Sequence, residues 1–348
     1  MTSPLLEGLS AGRIPLQTDS LRETRERVYN LYSAAIGACL GRGGREQAAQ
    51  FLAEEARLPY LTPEELEEAG KRLPETVTKL RSEAVRKPEG VTPAEPGPAL
   101  GDEEIETLFA LGLRDRLTGP AREHPRLLLF GGQPGSGKST LQRLVLPDLP
   151  EGTVSYDGDD LLRLTPGYEW AMSKDDRVAS GSLSRQYGGL HRRAMRYVRE
   201  GRVDVVCSHP LGRADWAASW VQDFRDAGYR VEVAFVATHS SNSRFAILDR
   251  YHRARADQGF GRWMPPLHHE RFYLGVPNTV EFLETHRLAD SVYVLSRDGE
   301  VLYRNHLGST SADRRFEPFG RIALEAERGR RELWREEDTS SVPAGGAV

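Results

Sequence analysis

The chain has 348 residues and a formal net charge of −4, with 39% hydrophobic and 28% charged residues. These values are ordinary for a soluble globular protein of one or two domains, and the slight acidity argues against a protein built mainly to bind nucleic acid. Two distant cysteines exclude a disulfide scaffold and suit a reducing compartment, so we expect a cytoplasmic protein. No secretory signal is expected at Met1–Pro4, and no apolar run approaches the roughly 18 residues that span a membrane.

The N-terminal region, residues 1–86, is predicted to be a small helical bundle that begins after a loose leader (1–18). Ser20 and Glu23 have the spacing of a capping box, so the first helix should begin there. Apolar residues then recur at steps of three and four, as on one face of a helix. The predicted buried positions of this helix are Val28, Leu31, Tyr32, Ala35, Ile36 and Cys39.

A later helix of this region should open at Thr62, because Glu65 stands three residues further on. We expect it to end at Pro74, since proline lacks the N–H group that a helix interior needs. Residues 87–101 are rich in proline and glycine, which favours extended and poorly packed chain. We interpret them as a linker.

Apolar strands alternate with helical segments through residues 102–312. This order predicts a P-loop NTPase-type α/β domain, with a mostly parallel sheet and helices on both faces. A turn after the fifth strand should lead to an antiparallel edge strand. Residues 313–348 are expected to hold a charged helix, at about 321–335, and a disordered tail. The predicted strands are 126–130, 153–156, 203–207, 229–237, 291–295 and 301–303.

A phosphate-binding pattern follows the first strand: two glycines five residues apart, then lysine and serine. The glycines let backbone N–H groups approach phosphate oxygens at a helix N-terminus, where the helix dipole favours negative charge. Lys138 is expected to reach the β- and γ-phosphates of ATP, and the Ser139 hydroxyl to ligate Mg²⁺. The residues predicted to bind the nucleotide are Gly132, Gln133, Pro134, Gly135, Ser136, Gly137, Lys138, Ser139 and Thr140.

Three acidic residues, Asp157, Asp159 and Asp160, follow the second strand. Ligands of open α/β sheets bind beyond the carboxyl ends of the strands. A carboxylate at this place could help to hold Mg²⁺ or accept the proton of an attacking hydroxyl. Helix capping is the alternative role, but three acids are more than capping needs. We therefore expect at least one of them to be functional.

Basic and polar residues near the ends of later strands are further candidates. His209 and Arg213, after the third strand, could contact a substrate, and so could Asp157 after the second strand. The arginines of residues 192–202 mark a surface helix, and a groove for nucleic acid there is the less favoured alternative. Arginines within residues 244–265 could neutralise charge on a transferring γ-phosphoryl group, although most of them should be solvated.

Two packing expectations accompany these candidates. In the helical segment that begins near Arg244, Phe245, Leu248 and Tyr251 are predicted to form the buried side. His269 lies in a His-His-Glu run that lacks the spacing of a helical zinc site, and we interpret it as part of a helix surface.

Residues 131–138 closely resemble the phosphate loop of the zeta-toxin family of small-molecule kinases. The resemblance covers about residues 102–305. It includes Asp157-Gly158-Asp159 followed by Pro166, and the two arginine-bearing positions of the family near its lid. The latter are matched here by Asp249-Arg250-Tyr251 and Gly261-Arg262.

The resemblance implies transfer of the ATP γ-phosphate to a hydroxyl of UDP-N-acetylglucosamine, as the toxin of a toxin–antitoxin system. It implies that Asp159 is the general base and that Lys138 holds the phosphates. It also implies that Arg250 and Arg262 stabilise the transferring group. Residues 1–86 are about the size of the family's helical antitoxin, so inhibition by a separate antitoxin or by these residues in cis is expected.

The chain departs from the family at two positions that contact the acceptor. Cys207-Ser208-His209 replaces an acidic residue, glycine and threonine, and His191 stands where the preceding helix carries an acidic residue. Other acceptors therefore stay open, namely a nicotinamide dinucleotide or a nucleic-acid 5′-hydroxyl. A non-catalytic nucleotide-binding switch is a further alternative, although the Asn-Lys-x-Asp guanine reader of GTPase switches is missing.

Overall fold

The computed structural model describes four stretches of the chain, 19–82, 99–183, 188–307 and 318–330. The predicted leader, the linker up to residue 98, and the residues from 331 onward, which include the end of the last predicted helix and the predicted tail, lie outside them. Within the described stretches, no helix combines the length and the apolar character needed to cross a membrane.

The three helices that open the described chain form what we call the helical layer. Its helices are α1 (Asp19–Gly41), α2 (Arg45–Ala56) and α3 (Pro63–Ser82). All six predicted positions of α1 are buried, because they form the face that packs on α2 and α3. The capping box before α3 is also present: the Thr62 amide donates to Glu65 Oε2 at 2.8 Å, and the Glu65 amide donates to Thr62 Oγ1 at 3.3 Å.

The predicted end of α3 at Pro74 is wrong, since the helix continues through the proline to Ser82. Leu66 and Leu73 before it and Val77 and Leu80 after it lie on one continuous buried face. Burial of this face outweighs the one backbone hydrogen bond that the proline cannot donate.

A six-stranded sheet forms the centre of the rest of the chain, in the order β2-β3-β1-β4-β5-β6. All neighbouring pairs are parallel except β5–β6, which is the predicted antiparallel edge. The strands are β1 (Arg126–Gly131), β2 (Val154–Asp157), β3 (Val205–His209), β4 (Arg230–Val236), β5 (Ser291–Leu295) and β6 (Val301–His306). The remaining helices are α4 (Asp102–Gly112), α5 (Lys138–Val145), α6 (Tyr168–Lys174), α7 (Asp176–Leu183), α8 (Gly188–Gly201), α9 (Ala214–Asp226), α10 (Ser240–Gln258), α11 (Pro266–Thr285) and α12 (Gly320–Gly329).

Both faces of the sheet are covered, as expected for parallel strands. Alternate residues of β1 enter different hydrophobic clusters: Leu127 and Leu129 join one, and Leu128 and Phe130 join the other. The first cluster also contains the buried side chains of the helical layer. The helical layer and the sheet therefore share one hydrophobic core.

The predicted buried side of α10 is wrong in two of its three positions. Tyr251 is buried, but Phe245 and Leu248 are exposed, and Ile247 takes the inward position. Arginines and small residues are scattered along this helix, so its apolar residues do not define one stripe and the sequence pattern was ambiguous.

Candidate functional site

The phosphate loop connects β1 to α5 and holds its shape through glycines. Gly135 has a φ of +78°, and a Cβ added there would collide with the carbonyl oxygen of Ser243. Gly137 precedes α5 with a φ of +102°. Other residues rarely adopt such values, so the glycines are required by the backbone path. Predicted residues 132–140 thus form one loop and the first turn of α5.

The Lys138 ammonium group is buried inside this loop. Its Nζ donates to the carbonyl oxygen of Gln133 at 2.9 Å. Burial lowers the pKa of Lys138 to about 8, because the charged form loses its hydration. An anionic phosphate beside Nζ would favour the charged form again.

The Gln133 side chain is held by contacts from two directions. Its Nε2 donates to the Thr238 carbonyl oxygen at 2.7 Å, and Arg328 Nη2 of α12 donates to Gln133 Oε1 at 2.6 Å. Arg328 is almost completely buried and also donates to the Tyr273 carbonyl oxygen. Sequence reasoning missed Arg328, because α12 reads as an ordinary charged helix.

His269 belongs to the same support, so its predicted place on a helix surface is wrong. It is fully buried, and its Nε2 shares a hydrogen bond of 2.8 Å with Ser243 Oγ. Ser243 Oγ in turn accepts from Gln133 Nε2 at 3.3 Å. The His-His-Glu run places one of its side chains inward, as any three consecutive helical residues can.

A hydroxyl and a carboxylate meet next to the phosphate loop. Ser139 Oγ donates to Asp157 Oδ2 at 2.8 Å and lies 3.3 Å from Ser208 Oγ. The sheet register brings them together, since Ser208 pairs with Phe130 of β1 and with Asp157 of β2. Burial is the main cause that raises the pKa of Asp157 to about 6. These oxygens suit Mg²⁺, which takes one or two carboxylates and completes its shell with phosphates and water.

Asp159 lies just beyond the end of β2 at Asp157, at the start of the 3₁₀ helix Gly158–Leu164. Its Oδ1 forms an ion pair with Arg262 Nη1, and its amide donates to Asp157 Oδ1 at 3.0 Å. Burial acts to raise the pKa of Asp159, but the guanidinium groups of Arg262 and Arg250 outweigh it and hold the pKa well below its usual range. Asp159 is therefore ionised.

Four predicted catalytic residues are thus brought together: Lys138, Asp159, Arg250 and Arg262 each act on the charge of at least one of the others. They come from α5, the 3₁₀ helix, α10 and the loop before α11. Arg213 behaves differently. It is exposed and its guanidinium pairs with Asp215 at the surface rather than with the other predicted site residues.

His209 lies at the end of β3 among aromatic side chains that sequence reasoning missed. Its ring centroid is 4.3 Å from that of Trp216, and both Trp220 and His191 lie within 6 Å of it. His191 Nδ1 shares a hydrogen bond of 2.7 Å with the Tyr156 hydroxyl. Burial lowers the pKa of His209 to about 3 and that of His191 to about 4, so both imidazoles are neutral at physiological pH.

We call these four rings the aromatic wall: His191, His209, Trp216 and Trp220. The sequence signal for it was the pair of tryptophans four residues apart on α9, which lie on one helix face just after β3. The register pairs His209 with Gly131, the residue before the phosphate loop. The aromatic wall therefore borders the same edge of the sheet as Lys138.

The chain is similar to known proteins over the region that contains the candidate site. A model of the Zeta toxin family matches residues 112–308. Toxin PezT of Streptococcus pneumoniae is 23% identical over 214 residues, which cover 61% of this chain and 84% of that protein. Toxin zeta of Streptococcus pyogenes is 21% identical over 58% of this chain and 71% of its own length.

The fold is also found among solved structures. A chain from the PezAT chromosomal toxin–antitoxin system of Streptococcus pneumoniae superimposes with a TM-score of 0.56 at 19% identity, over 69% of this chain and 93% of that one. The family match covers more than half of the chain, and it spans β1 to β6 with the phosphate loop and all four catalytic candidates. This protein belongs to the zeta-toxin family.

Proposed function

We propose that this protein is an ATP-dependent kinase that transfers the γ-phosphoryl group to a hydroxyl of a small molecule. One observation carries the proposal: the lysine of the phosphate loop, an ionised carboxylate and two arginines act on one another at the carboxyl edge of the sheet. Phosphoryl transfer needs this combination of a phosphate cradle, charge neutralisation and a group that orients the attacking hydroxyl.

Each side chain then has a defined task. The backbone amides of the loop and Lys138 bind the β- and γ-phosphates, and Lys138 gives up its contact with the Gln133 carbonyl to do so. Arg262 and Arg250 neutralise charge that spreads over the transferring oxygens. As Arg262 turns to the phosphoryl group, Asp159 is released to orient the acceptor hydroxyl and take its proton.

Ser139 and Asp157 are the residues that would hold Mg²⁺. The ion supplies positive charge that offsets the charge of the phosphates. The weak basicity of Asp159 is compatible with its task, since the transition state of phosphoryl transfer is loose and needs positioning more than proton abstraction.

For the acceptor we propose a nucleotide-linked metabolite, with UDP-N-acetylglucosamine as the first candidate and a nicotinamide dinucleotide as the second. The aromatic wall supports a ligand with a planar ring, because stacking on Trp216 or His209 needs no charge. Of the two acidic side chains that the family uses in this region, one is replaced here by the neutral imidazole of His191, and the other falls in the segment Cys207-Ser208-His209, which has no acid.

A labelling experiment tests both the reaction and the acceptor. The protein is incubated with γ-labelled ATP and Mg²⁺ and with a panel of sugar nucleotides, dinucleotides and oligonucleotides. We expect label in one sugar nucleotide or dinucleotide and none in the oligonucleotides. Label only in oligonucleotides would show a nucleic-acid kinase instead, and ATP binding without any transfer would show a nucleotide-binding switch.

We also propose that the activity is controlled by an antitoxin, either a separate protein or residues 1–86 in cis. Both curated relatives above are named toxins, and the solved relative comes from a toxin–antitoxin system. The start of α1 supports control in cis. There Arg253 of α10, the helix that carries Arg250, donates to Glu23 Oε1 at 2.9 Å.

A substitution at the start of α1 tests control in cis. Leu21 packs against the hydrophobic core there, so Leu21→Asp should loosen the first turns of α1. We expect tighter ATP binding and faster label transfer if α1 restricts the nucleotide site. Leu61→Asp, at another partly buried leucine of the helical layer, is the control. Unchanged ATP affinity in Leu21→Asp would favour a separate antitoxin.

A further inference from the structure

The 3₁₀ helix that carries Asp159 is held from a second side by the helical layer. Asp159 faces Arg262, whereas the next residue, Asp160, and the later Arg163 contact side chains of α1 and α2. Leu161 and Leu164 of the same turn are fully buried in the shared core. The position of Asp159 thus depends on a segment that is clamped by another part of the chain.

The clamp is a buried cluster of hydrogen-bonded charges. Arg163 donates from Nη1 to Glu55 Oε1 at 2.8 Å and from Nη2 to Glu55 Oε2 at 2.6 Å. The Tyr29 hydroxyl donates to Asp160 Oδ1 at 2.7 Å, and Arg116 Nη2 donates to Asp160 Oδ2 at 3.2 Å. Arg116 also lies 3.5 Å from Glu55, so two carboxylates and two guanidinium groups balance one another.

Such a cluster determines geometry more than it adds stability. The side chains of Arg163 and Glu55 are each only 3% exposed. The desolvation penalty of a buried ion pair offsets much of its electrostatic attraction. The bidentate pair and the tyrosine bond are directional, however, and they allow one placement of the 3₁₀ helix against the helical layer. A merely apolar contact would tolerate small shifts of this helix.

We propose that Glu55 and Tyr29 are positioning residues for phosphoryl transfer. This proposal rests on the proposed kinase activity. It gives the helical layer a part in catalysis, because the layer fixes the position of Asp159 opposite Lys138. The hydrogen bonds of these two residues go to Asp160 and Arg163 rather than to Lys138 or Asp159. Their loss should therefore lower kcat and leave the binding of ATP unchanged, because the phosphate loop has its own support.

Two pairs of matched variants test the proposal in the full-length chain. Tyr29→Phe removes only the hydroxyl, and its control Tyr32→Phe removes a hydroxyl on the same helix that contacts Glu54 instead. Glu55→Gln weakens the bidentate pair, and its control Glu54→Gln changes the neighbouring carboxylate, which pairs with a surface arginine. Label transfer is measured per molecule that binds ATP, together with KM for ATP and thermal unfolding.

We expect kcat to fall about tenfold in Tyr29→Phe and about ten- to a hundredfold in Glu55→Gln, the size of effect that small misplacement of a catalytic group produces. KM for ATP should stay within about twofold, and both controls should match the wild-type chain. The losses in the double variant should be less than multiplicative, because both side chains act through the same 3₁₀ helix.

The outcomes separate this proposal from the kinase proposal. If the wild-type chain transfers label but both variants keep the wild-type kcat per ATP-binding molecule, positioning is refuted and the kinase stands. A substitution that only lowers the fraction of folded molecules also leaves kcat per ATP-binding molecule unchanged, so it counts against positioning as well. If Glu55→Gln does not fold, Tyr29→Phe decides, since its ring stays over Arg163. A wild-type chain that labels no acceptor refutes both proposals.

Discussion

Lys138→Ala should abolish phosphoryl transfer and weaken ATP binding by about a hundredfold or more. A buried ammonium group attracts a phosphate more strongly than an exposed one does, because the surrounding dielectric constant is lower. No other side chain of the loop can replace its charge-assisted hydrogen bonds. The measurements are calorimetric titration with ATP and Mg²⁺ and the label-transfer assay.

Lys71→Ala is the matched control, because Lys71 is an exposed lysine of α3 whose side chain is 80% exposed. It should bind ATP and transfer phosphate like the wild-type chain. Lys138 itself makes one hydrogen bond inside the loop, so its loss should leave the fold intact, and circular dichroism checks this. An Lys138→Ala variant that binds ATP with wild-type affinity would remove the phosphate loop from the mechanism.

Asp159→Asn should lower kcat by about a hundred- to ten-thousandfold while ATP binding stays equal or becomes tighter. Asparagine keeps the size of the side chain and can still accept a hydrogen bond from Arg262, but it cannot take a proton. The change also removes the negative charge that holds Arg262, so this guanidinium is freer to bind phosphate. The opposite effects on binding and turnover distinguish Asp159 from Lys138.

Asp148→Asn, at an exposed acid after α5, controls for the loss of one negative charge. Single-turnover label transfer measures the chemical step apart from product release. Normal turnover of Asp159→Asn would show that the base assignment is wrong. Asp157 would then be the remaining acid of the pair next to the phosphate loop.

The sequence indicates a structural feature most clearly where one short stretch contains all the residues that specify it. The phosphate loop is such a case, because two glycines, a lysine and a serine in one turn are enough to specify it. The bounds of the five parallel strands were predicted within about two residues, since parallel strands covered on both faces are continuous apolar runs, and the antiparallel edge strand β6 extends three residues beyond its prediction. Asp159 could also be identified from the sequence, because it stands just after the end of a predicted strand.

Partners that are distant in sequence could not be predicted. Arg328 and Gln133 are 195 residues apart, and Glu55 and Arg163 are 108 apart. No local pattern distinguishes these arginines from the many that lie in solvent. The burial of Phe245 and of His269 was predicted wrongly for a related reason. Phe245 is exposed and His269 is buried, because the neighbours of a helix decide which of its faces is covered.

The amino-acid sequence by itself determined the order of strands and helices, the phosphate loop and the acid that follows β2, because backbone propensity, apolar periodicity and glycine geometry act over a few residues. Only the tertiary structure decided that Arg262 meets Asp159, that the aromatic wall borders the site and that the helical layer clamps the 3₁₀ helix. These contacts depend on how the helices pack across the sheet, and the free energy of that packing is a property of the whole core rather than of any one segment.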